Sequence, residues 1–336
     1  MKLKGFTPPK TLLYSGDYRE NETIIKHYLW DENHLKKTDD FSREADQQHY
    51  IQVIGLNDVN KIKVIKNTYD IEDIVLEDIF NVKQRNKIEF RSGYIFAVFH
   101  CQYLLNEKIN DEYMSVLLFN DAMISFHEHA SHSVDLLSQL IHERKELRKK
   151  TIDYLFFQLL DLLTDRHLHV YEALHSEVSA FEEEILESKS LNQEQFYMTR
   201  KHLLKLKNNI APVLNDFEKL LSQSITLINS SNLEYYEDLH DHLIRLDNHL
   251  SESREMMRHL LDLHINNQSN TMNRIMTTLT LFSAIFIPLS FLTGFFGMNF
   301  VYFEFLEYEY GLLIFILLCI ALAGFMIALF KKMRWF

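Results

Sequence analysis

Two long stretches near the C-terminal end of the chain contain no charged residue. They run from Ile275 to Phe303 and from Tyr310 to Phe330, and a short acidic connection separates them. A helix needs about 20 mostly apolar residues to cross roughly 30 Å of bilayer hydrocarbon. Both stretches reach that length. The pattern therefore predicts two membrane-spanning helices, over about 275–297 and 311–330, within a membrane domain of residues 271–336.

Basic residues flank the two predicted spans on one side only. They are Arg254, Arg258 and Arg274 before the first span and Lys331, Lys332 and Arg334 after the second. Lys and Arg concentrate in the cytoplasmic flanks of spanning helices. We therefore expect a multi-pass protein of the plasma (inner) membrane, with both termini and the large preceding body in the cytoplasm.

The N-terminal region, residues 1–130, mixes strand and helix patterns. β-Branched and aromatic runs predict strands at 50–54 and 94–99, and 116–126 predicts a hairpin around Asn120-Asp121. Residues 57–68 and 70–81 have helical character. The region is therefore expected to be an α/β domain with a small sheet.

Turn residues almost vanish after residue 131, and helical periodicity continues to residue 270. The predicted helices cover 131–149, 152–188 and 193–222, and Pro212 is expected to kink or break the third. A fourth helix begins near Leu233 and forms a stalk over 233–270, with the apolar steps of three and four that a coiled coil has. Its seam consists of Tyr236, Leu239, Leu243, Leu246, Leu250, Ser253, Met257, Leu260 and His264.

The stalk is expected to continue into the first span, because no Gly or Pro interrupts the chain from Leu233 to Ile287. About 65 residues at 1.5 Å each form a helix roughly 95 Å long. Such a helix needs the preceding helices or copies of itself to bury its seam. With two spans per chain, the simplest assembly is a ring of identical subunits with their first spans around the axis.

One side of the first span is more polar than the rest. The residues that share it by helical spacing are Asn273, Met276, Thr280, Ser283, Ile287, Ser290 and Gly294, and Leu279 joins them as a candidate pore-lining residue. In a ring, they form small polar collars with hydrophobic constrictions at Met276 and Ile287, as in a water-filled path. Small residues are also common where membrane helices pack closely. The stripe alone therefore favours a pore and close packing about evenly.

Composition and charge limit the kinds of molecule that the protein is expected to bind. The 336 residues are 47% apolar and 24% charged, and the formal net charge of -12 belongs to the soluble body. An acidic balance argues against nucleic acid, whose phosphates favour basic surfaces. It suits divalent cations, and equally a surface kept acidic for solubility. Two cysteines, Cys101 and Cys319, form no disulfide framework, and Met1 to Glu20 lacks the apolar core of a signal peptide.

A specific motif ends the first span. Ile285-Phe286-Ile287-Pro288-Leu289-Ser290-Phe291 leads through Gly294 into Gly297-Met298-Asn299-Phe300, and the second span and Lys331-Lys332-Met333-Arg334-Trp335 follow. Upstream stand Leu76-Glu77-Asp78-Ile79, Asn81-Val82-Lys83-Gln84-Arg85 and Asp153-Tyr154-Leu155. On these residues, most of the chain beyond about residue 45 resembles the CorA-type magnesium channel family.

The resemblance implies an α+β protein with a membrane part, assembled as a funnel-shaped homopentamer in the lipid bilayer. An N-terminal α/β cytoplasmic domain precedes a long stalk helix, which continues into the first of two C-terminal transmembrane helices. Gly297, Met298 and Asn299 are then the selectivity motif, with Asn299 ringing the outer mouth. Because Mg²⁺ holds its waters tightly, amide oxygens there can recognise the hydrated ion by hydrogen bonds to its water shell.

The resemblance also implies gating by cytoplasmic Mg²⁺. Asp78 and Asp238 match carboxylates that bind the regulatory ion between neighbouring domains, and Asp262 matches an acidic ring near the inner mouth. Without the family, each is an ordinary exposed helix carboxylate. Facing carboxylates repel until a divalent ion bridges them, so occupancy locks a closed ring.

The outer mouth departs from the family pattern. Phe296 stands where Tyr is usual, and the connection lacks the common Met-Pro-Glu. Its carboxylates lie at Glu304, Glu307 and Glu309, where they attract cations. The choice among Mg²⁺, Co²⁺, Ni²⁺ and Zn²⁺ therefore stays open, and the zinc-transporting branch of the family is an alternative.

Two other classes of protein compete with a channel. No Gly-rich phosphate loop or nucleophile elbow occurs, so an enzyme is not predicted. Among the close His pairs, only His127 and His129 lie where a strand brings both rings to one face for chelation. The remaining alternative is a membrane-anchored divalent-ion sensor or scaffold, in which the hairpin is only an anchor.

Overall fold

The computed structural model of the chain describes residues 14–38, 47–130, 132–187, 189, 191–222, 226–298 and 309–333. The strands in these ranges are β1 (Ile24–Trp30), β2 (Leu35–Thr38), β3 (Gln48–Ile54), β4 (Lys87–Arg91), β5 (Tyr94–Leu105), β6 (Lys108–Leu118) and β7 (Ala122–His127). The α-helices are α1 (Val59–Thr68), α2 (Asp73–Phe80), α3 (His132–Glu143), α4 (Ile152–Leu186), α5 (Gln193–Ser222), α6 (Leu233–Phe296) and α7 (Gly311–Lys332).

The strands form one mixed sheet in the order β2-β1-β3-β7-β6-β5-β4. Neighbouring strands are antiparallel except β3 and β7, which run parallel with Tyr50 opposite Met123. The hairpin predicted around Asn120-Asp121 is confirmed, since Leu118 pairs with Met123 across it. The sheet has seven strands in the described residues and is larger than expected, because β1, β2 and β4 were not predicted.

Both faces of the sheet are covered. Alternate strand residues point to opposite faces, and one set, including Ile51, Val53 and Phe96, packs with α1 and α2 in a single apolar core. The other set includes Phe99, which lines a small cavity together with Leu160 of α4 and Val213 of α5. The sheet, the layer of α1 and α2, and the layer of α4 and α5 therefore form a three-layer unit. The sequence predicts the α/β character of the N-terminal region, but neither the third layer nor the fuller sheet.

The helical segments lie close to their predicted bounds, with two differences. The segment predicted over 131–149 ends as an α-helix at Glu143 and continues as a 3-10 helix over Lys145–Lys149. Pro212 does not break α5, which runs from Gln193 to Ser222 around it. A proline removes one backbone hydrogen-bond donor. The turns of α5 on either side of Pro212 nevertheless stay helical.

The seam of α6 is buried by the preceding helices of the same chain. Tyr236, Leu243 and Leu250 are each at most 4% exposed. The Tyr236 ring lies 5.7 Å from that of Phe157 in α4 and 6.0 Å from that of Phe217 in α5. Of the two partners that the sequence left open, the structure therefore shows the preceding helices. The expected continuity is also confirmed, since α6 is one helix of 64 residues that includes Pro288.

The chain divides into two compact units. The first comprises the sheet, α1 to α5 and the part of α6 that ends at Arg258. The second comprises Glu187 and Lys189, which follow α4, and the chain from His259, which contains the rest of α6 with α7.

Candidate ion pathway and regulatory carboxylates

The second unit contains two helices that are long and apolar enough to cross a membrane. The most apolar windows of the helix ending at Phe296 and of Gly311–Lys332 have mean hydropathies of 2.0 and 3.1, and almost none of either window is buried within the chain. The two helices meet near the motif, where the Phe296 and Phe315 rings lie 5.0 Å apart. The helical nature of both predicted spans is confirmed.

One side of α6 is partly shielded within the second unit. Leu281 is 7% exposed. The partly buried residues that follow it at helical spacing are Ala284, Ile285, Pro288, Leu289, Leu292 and Phe296. Since Phe296 contacts Phe315 of α7, this is the side of α6 that α7 covers.

The predicted polar stripe lies on the opposite side of α6. Its members, with Leu279, are all exposed in the chain: Asn273, Met276, Leu279, Thr280, Ser283, Ile287, Ser290 and Gly294. At 100° per residue, the average direction of the stripe lies roughly 160° around the helix from that of the partly buried residues. The Thr280 hydroxyl donates to the Met276 carbonyl at 2.8 Å, so the helix itself satisfies that donor. In the described residues, α7 therefore leaves the stripe uncovered.

The outer motif is only partly described. The Gly297 amide donates to the Thr293 carbonyl at 2.9 Å and the Met298 amide to the Phe295 carbonyl at 3.3 Å, which closes the helix. A Cβ on Gly297 would lie 3.0 Å from the Thr293 carbonyl oxygen, tighter than ordinary contact, so glycine suits this end. Asn299, Glu304 and Glu307 lie outside the described residues, and Glu309 is exposed.

Asp78 in α2 is paired with a lysine. Lys87 Nζ of β4 lies 2.7 Å from Asp78 Oδ2 and 2.7 Å from Glu89 Oε1. The Asp78 side chain is 25% exposed and that of Lys87 is 11% exposed. Asp78 is therefore partly buried and ion-paired, and not fully exposed as expected, because the edge strand supplies an ammonium group that the sequence did not reveal.

Asp238 lies near other carboxylates. Its side chain is 72% exposed, and its Oδ2 is 3.9 Å from His242 Nε2. On α4, burial raises the pKa of Asp161, and the negative charges of Asp165 and Asp238 raise it further, while His242 acts in the opposite sense. Sequence reasoning missed Asp161 and Asp165. Their spacing of four on a helix was the available signal.

Asp262 is exposed on α6 in the second unit. Among the residues that the structure describes, no group of three or more His, Cys, Asp or Glu side chains is placed to hold a metal ion. The structure therefore records the three sequence-predicted carboxylates as separate groups within one chain.

His127 and His129 lie in different surroundings. His127 ends β7 and is fully buried, with Nε2 2.9 Å from Ser125 Oγ and Nδ1 3.8 Å from Glu112 Oε1. Burial lowers the pKa of His127 to about 3. His129 lies beyond the strand, where its ring contacts Tyr18 at 4.4 Å. His127 is therefore held by buried polar groups inside the sheet, while His129 packs against Tyr18 outside the strand.

A comparison with known protein families shows to which family the chain belongs. The model of a family described as CorA-like Mg2+ transporter protein matches residues 47–332. The chain belongs to this family. The resemblance seen in the sequence is therefore confirmed over most of the chain.

Curated CorA-family relatives differ in the ion that their names give. The cobalt/magnesium transport protein CorA of Thermotoga maritima is 31% identical over 346 aligned residues, which cover 100% of this chain and 98% of that protein. The zinc transport protein ZntB of Photorhabdus laumondii subsp. laumondii is 27% identical over 66% of this chain and 67% of its own.

A solved CorA structure supports the architecture. The complete structure of the CorA magnesium transporter from Methanocaldococcus jannaschii has a TM-score of 0.78 at 18% identity, covering 93% of this chain and 99% of that one. The N-terminal α/β region, the long helix and two apolar C-terminal helices expected for a CorA-type fold are thus confirmed.

Proposed function

We propose that this CorA-family protein is a divalent cation channel that admits Mg²⁺, and also Co²⁺ or Ni²⁺, down the electrochemical gradient. The observation that carries this proposal is the polar stripe of α6, which α7 leaves uncovered on the opposite side of the helix. A span that served only as an anchor has no use for small polar residues that recur on one side of the helix. The 31% identity to a cobalt/magnesium transport protein supports the choice of ions.

The proposed assembly is a homopentamer with α6 around the axis and α7 outside it. In that ring the stripe faces water, Met276 and Ile287 form its hydrophobic constrictions, and Asn299 surrounds the outer mouth. Neutral amide oxygens accept hydrogen bonds from the water shell of an ion that dehydrates reluctantly. Glu304, Glu307 and Glu309 raise the local cation concentration. Both termini lie in the cytoplasm of a plasma (inner) membrane protein.

Regulation is proposed to act through carboxylates of neighbouring subunits. A Mg²⁺ ion between Asp78 of one subunit and Asp238 of the next holds a symmetric closed ring, and Asp262 adds an acidic ring at the inner mouth. The 72% exposure of Asp238 suits a group that a neighbouring subunit approaches. Loss of the ion removes the bridge between the two subunits and releases the ring.

Zinc transport is the second candidate. The relative ZntB, at 27% identity, and the absence of Met-Pro-Glu from the outer connection both favour it. The Gly-Met-Asn motif at residues 297–299 favours Mg²⁺ instead, since the amide suits an ion that keeps its waters.

The test is ion flux into liposomes that contain the purified full chain, compared across Mg²⁺, Co²⁺, Ni²⁺ and Zn²⁺. We expect Mg²⁺ influx, and Asn299→Ala should reduce it by roughly tenfold or more. Leu312→Ala, which changes a side chain 74% exposed on α7, is the matched control near the same end of the hairpin. Zn²⁺ flux alone supports the second candidate. No flux of any divalent ion, or flux indifferent to Asn299→Ala, supports a sensor or scaffold.

A further inference from the structure

Lys87 occupies the position at Asp78 where a divalent cation is proposed to act. Its ammonium nitrogen lies 2.7 Å from Asp78 Oδ2, a short charge-assisted contact. The lysine side chain is only 11% exposed, and its nitrogen lies 5.1 Å from the centroid of the Phe96 ring. Lys87 is therefore held in place by its surroundings and is not a mobile surface lysine.

The same ammonium has a second acceptor. Glu89 Oε1 lies 2.7 Å from Lys87 Nζ, and Glu89 Oε2 lies 2.6 Å from Arg91 Nη2. Burial alone would raise the pKa of Glu89, but the hydrogen bonds from Lys87 and Arg91 outweigh it and lower that pKa. Glu89 thus stays charged and can keep Lys87 when Asp78 has another partner.

The resulting row of charges follows the outer edge of the sheet. β4 is an edge strand, and its residues Lys87, Glu89 and Arg91 alternate on one face. Asp78 ends the row on one side, and Glu72, 3.4 Å from Arg91 Nη1, ends it on the other. Three carboxylates and two cations leave the row with one net negative charge.

We propose that Lys87 is a built-in competitor that sets the Mg²⁺ concentration at which Asp78 is occupied. This inference rests on the proposed regulatory role of Asp78. Without bound ion, the ammonium neutralises Asp78. An incoming Mg²⁺ meets the positive charge of Lys87 on the same carboxylate, so binding requires Lys87 to give up this contact and keep Glu89. The affinity of the site is therefore lower than the carboxylates alone would give.

The competitor is distinguishable from a lysine that merely orients Asp78. Removing a competitor increases Mg²⁺ affinity, whereas removing an orienting group decreases it. Lys87→Met removes the charge and keeps much of the apolar stem over Phe96. Lys87→Arg keeps the charge. Lys66→Met is the matched control, because it deletes another partly buried lysine, 3.0 Å from Asp73 of the same helix α2.

The experiment is Mg²⁺ protection of the full chain against chymotrypsin in detergent micelles, with the half-protective concentration as readout. For Lys87→Met we expect that concentration to fall about three- to fivefold, the upper part of the range that loss of a partly exposed ion pair gives. Lys87→Arg and Lys66→Met should stay within about twofold of the unmodified protein. If Lys87→Met does not fold, Lys87→Gln replaces it with the same expectation.

Asp78→Asn separates the two hypotheses. If it abolishes Mg²⁺ protection while Lys87→Met leaves the half-protective concentration unchanged or raises it, the regulatory site stands and the competitor is overturned. If Asp78→Asn leaves protection unchanged, the proposed regulatory site is wrong and the competitor falls with it. Protection lost in Asp78→Asn and shifted to lower Mg²⁺ in Lys87→Met supports both.

Discussion

The hydroxyl of Tyr236 donates a hydrogen bond of 2.7 Å to the backbone carbonyl of Asp153. The Asp153 carboxylate, 2% exposed, in turn accepts from the Asn229 amide at 3.0 Å and from Asn232 Nδ2 at 2.9 Å. These contacts fasten the beginning of α6 to the beginning of α4. Asp238, two residues beyond Tyr236, therefore projects from a fixed part of the first unit.

Tyr236→Phe should destabilise the first unit by about 1–2 kcal/mol, because the buried Asp153 carbonyl loses a donor. The neighbouring Tyr235 is 37% exposed, so Tyr235→Phe should change stability by less than about 0.5 kcal/mol. Urea unfolding of the full chain in detergent, followed by far-UV circular dichroism, measures both. Equal midpoints for the two variants would show that the hydrogen bond contributes nothing.

Arg166 and Glu112 form a buried ion pair between α4 and β6. Arg166 Nη1 lies 3.4 Å from Glu112 Oε2, and the side chains are 10% and 2% exposed. Arg166→Met should cost about 3–5 kcal/mol, because it leaves the glutamate charge buried. Combining it with Glu112→Gln should recover part of that loss.

The control is the neighbouring pair of Lys205 and Asp111, with side chains 43% and 46% exposed. Lys205→Met should change stability by less than about 1 kcal/mol, since exposed pairs contribute little. The same urea unfolding assay applies. A loss in Arg166→Met no larger than that in Lys205→Met would contradict the importance of the buried pair.

His167 should make the protein sensitive to mild acid. Burial lowers its pKa to about 4, helped by the charge of Arg166 and opposed by a hydrogen bond to the His100 carbonyl. The folded state therefore keeps His167 neutral, while the unfolded chain takes up a proton below about pH 6.5. The contribution of His167 to stability is complete above that pH and declines as pH falls towards 4, by up to about 3 kcal/mol.

His167→Gln should flatten the dependence of stability on pH between 6.5 and 4. His169→Gln on the same helix should not, because that side chain is 70% exposed. Urea midpoints at a series of pH values measure the slope. Parallel curves for His167→Gln and the unmodified protein would rule out this source of acid sensitivity.

Thr280 and Thr278 test whether the stripe faces water. Each hydroxyl donates at 2.8 Å to the carbonyl four residues earlier, to Met276 and Arg274 respectively. Only Thr280 lies on the stripe. Thr280→Leu should reduce Mg²⁺ flux into liposomes by roughly tenfold, because it adds bulk and removes a polar collar. Thr278→Leu should change the flux by less than about twofold. Similar losses in both would place the pathway elsewhere.

The features that the sequence predicted best are those that depend only on long apolar patterns. The spans and the seam of α6 follow from long apolar patterns that have few alternative structures. Strand β1 was missed because Lys26 and His27 interrupt its apolar pattern, although His27 is fully buried in the finished sheet. Neighbouring elements of the fold determine whether such a side chain is buried, and local strand propensity does not predict it.

The candidate site likewise has one part that the sequence predicted and one part that it did not. The stripe was predictable because helical spacing alone places its residues on one side. The pairing of Asp78 with Lys87 was not, because it depends on β4 lying beside α2 with the lysine turned towards the helix. Strand β4 did carry a signal, since charged Lys87, Glu89 and Arg91 alternate with Ile88 and Phe90. The sequence alone, however, does not show which residues these charged side chains contact at the edge of the sheet.

The Thr280 hydroxyl has already committed its hydrogen to the Met276 carbonyl. What it presents outward is oxygen lone pairs, and a permeating chloride ion finds no donor there. In the proposed ring, five copies of this oxygen would favour cations over anions without a carboxylate in the hydrocarbon region. In the pore that we propose, the cation preference at Thr280 then follows from how its hydroxyl bonds to its own backbone.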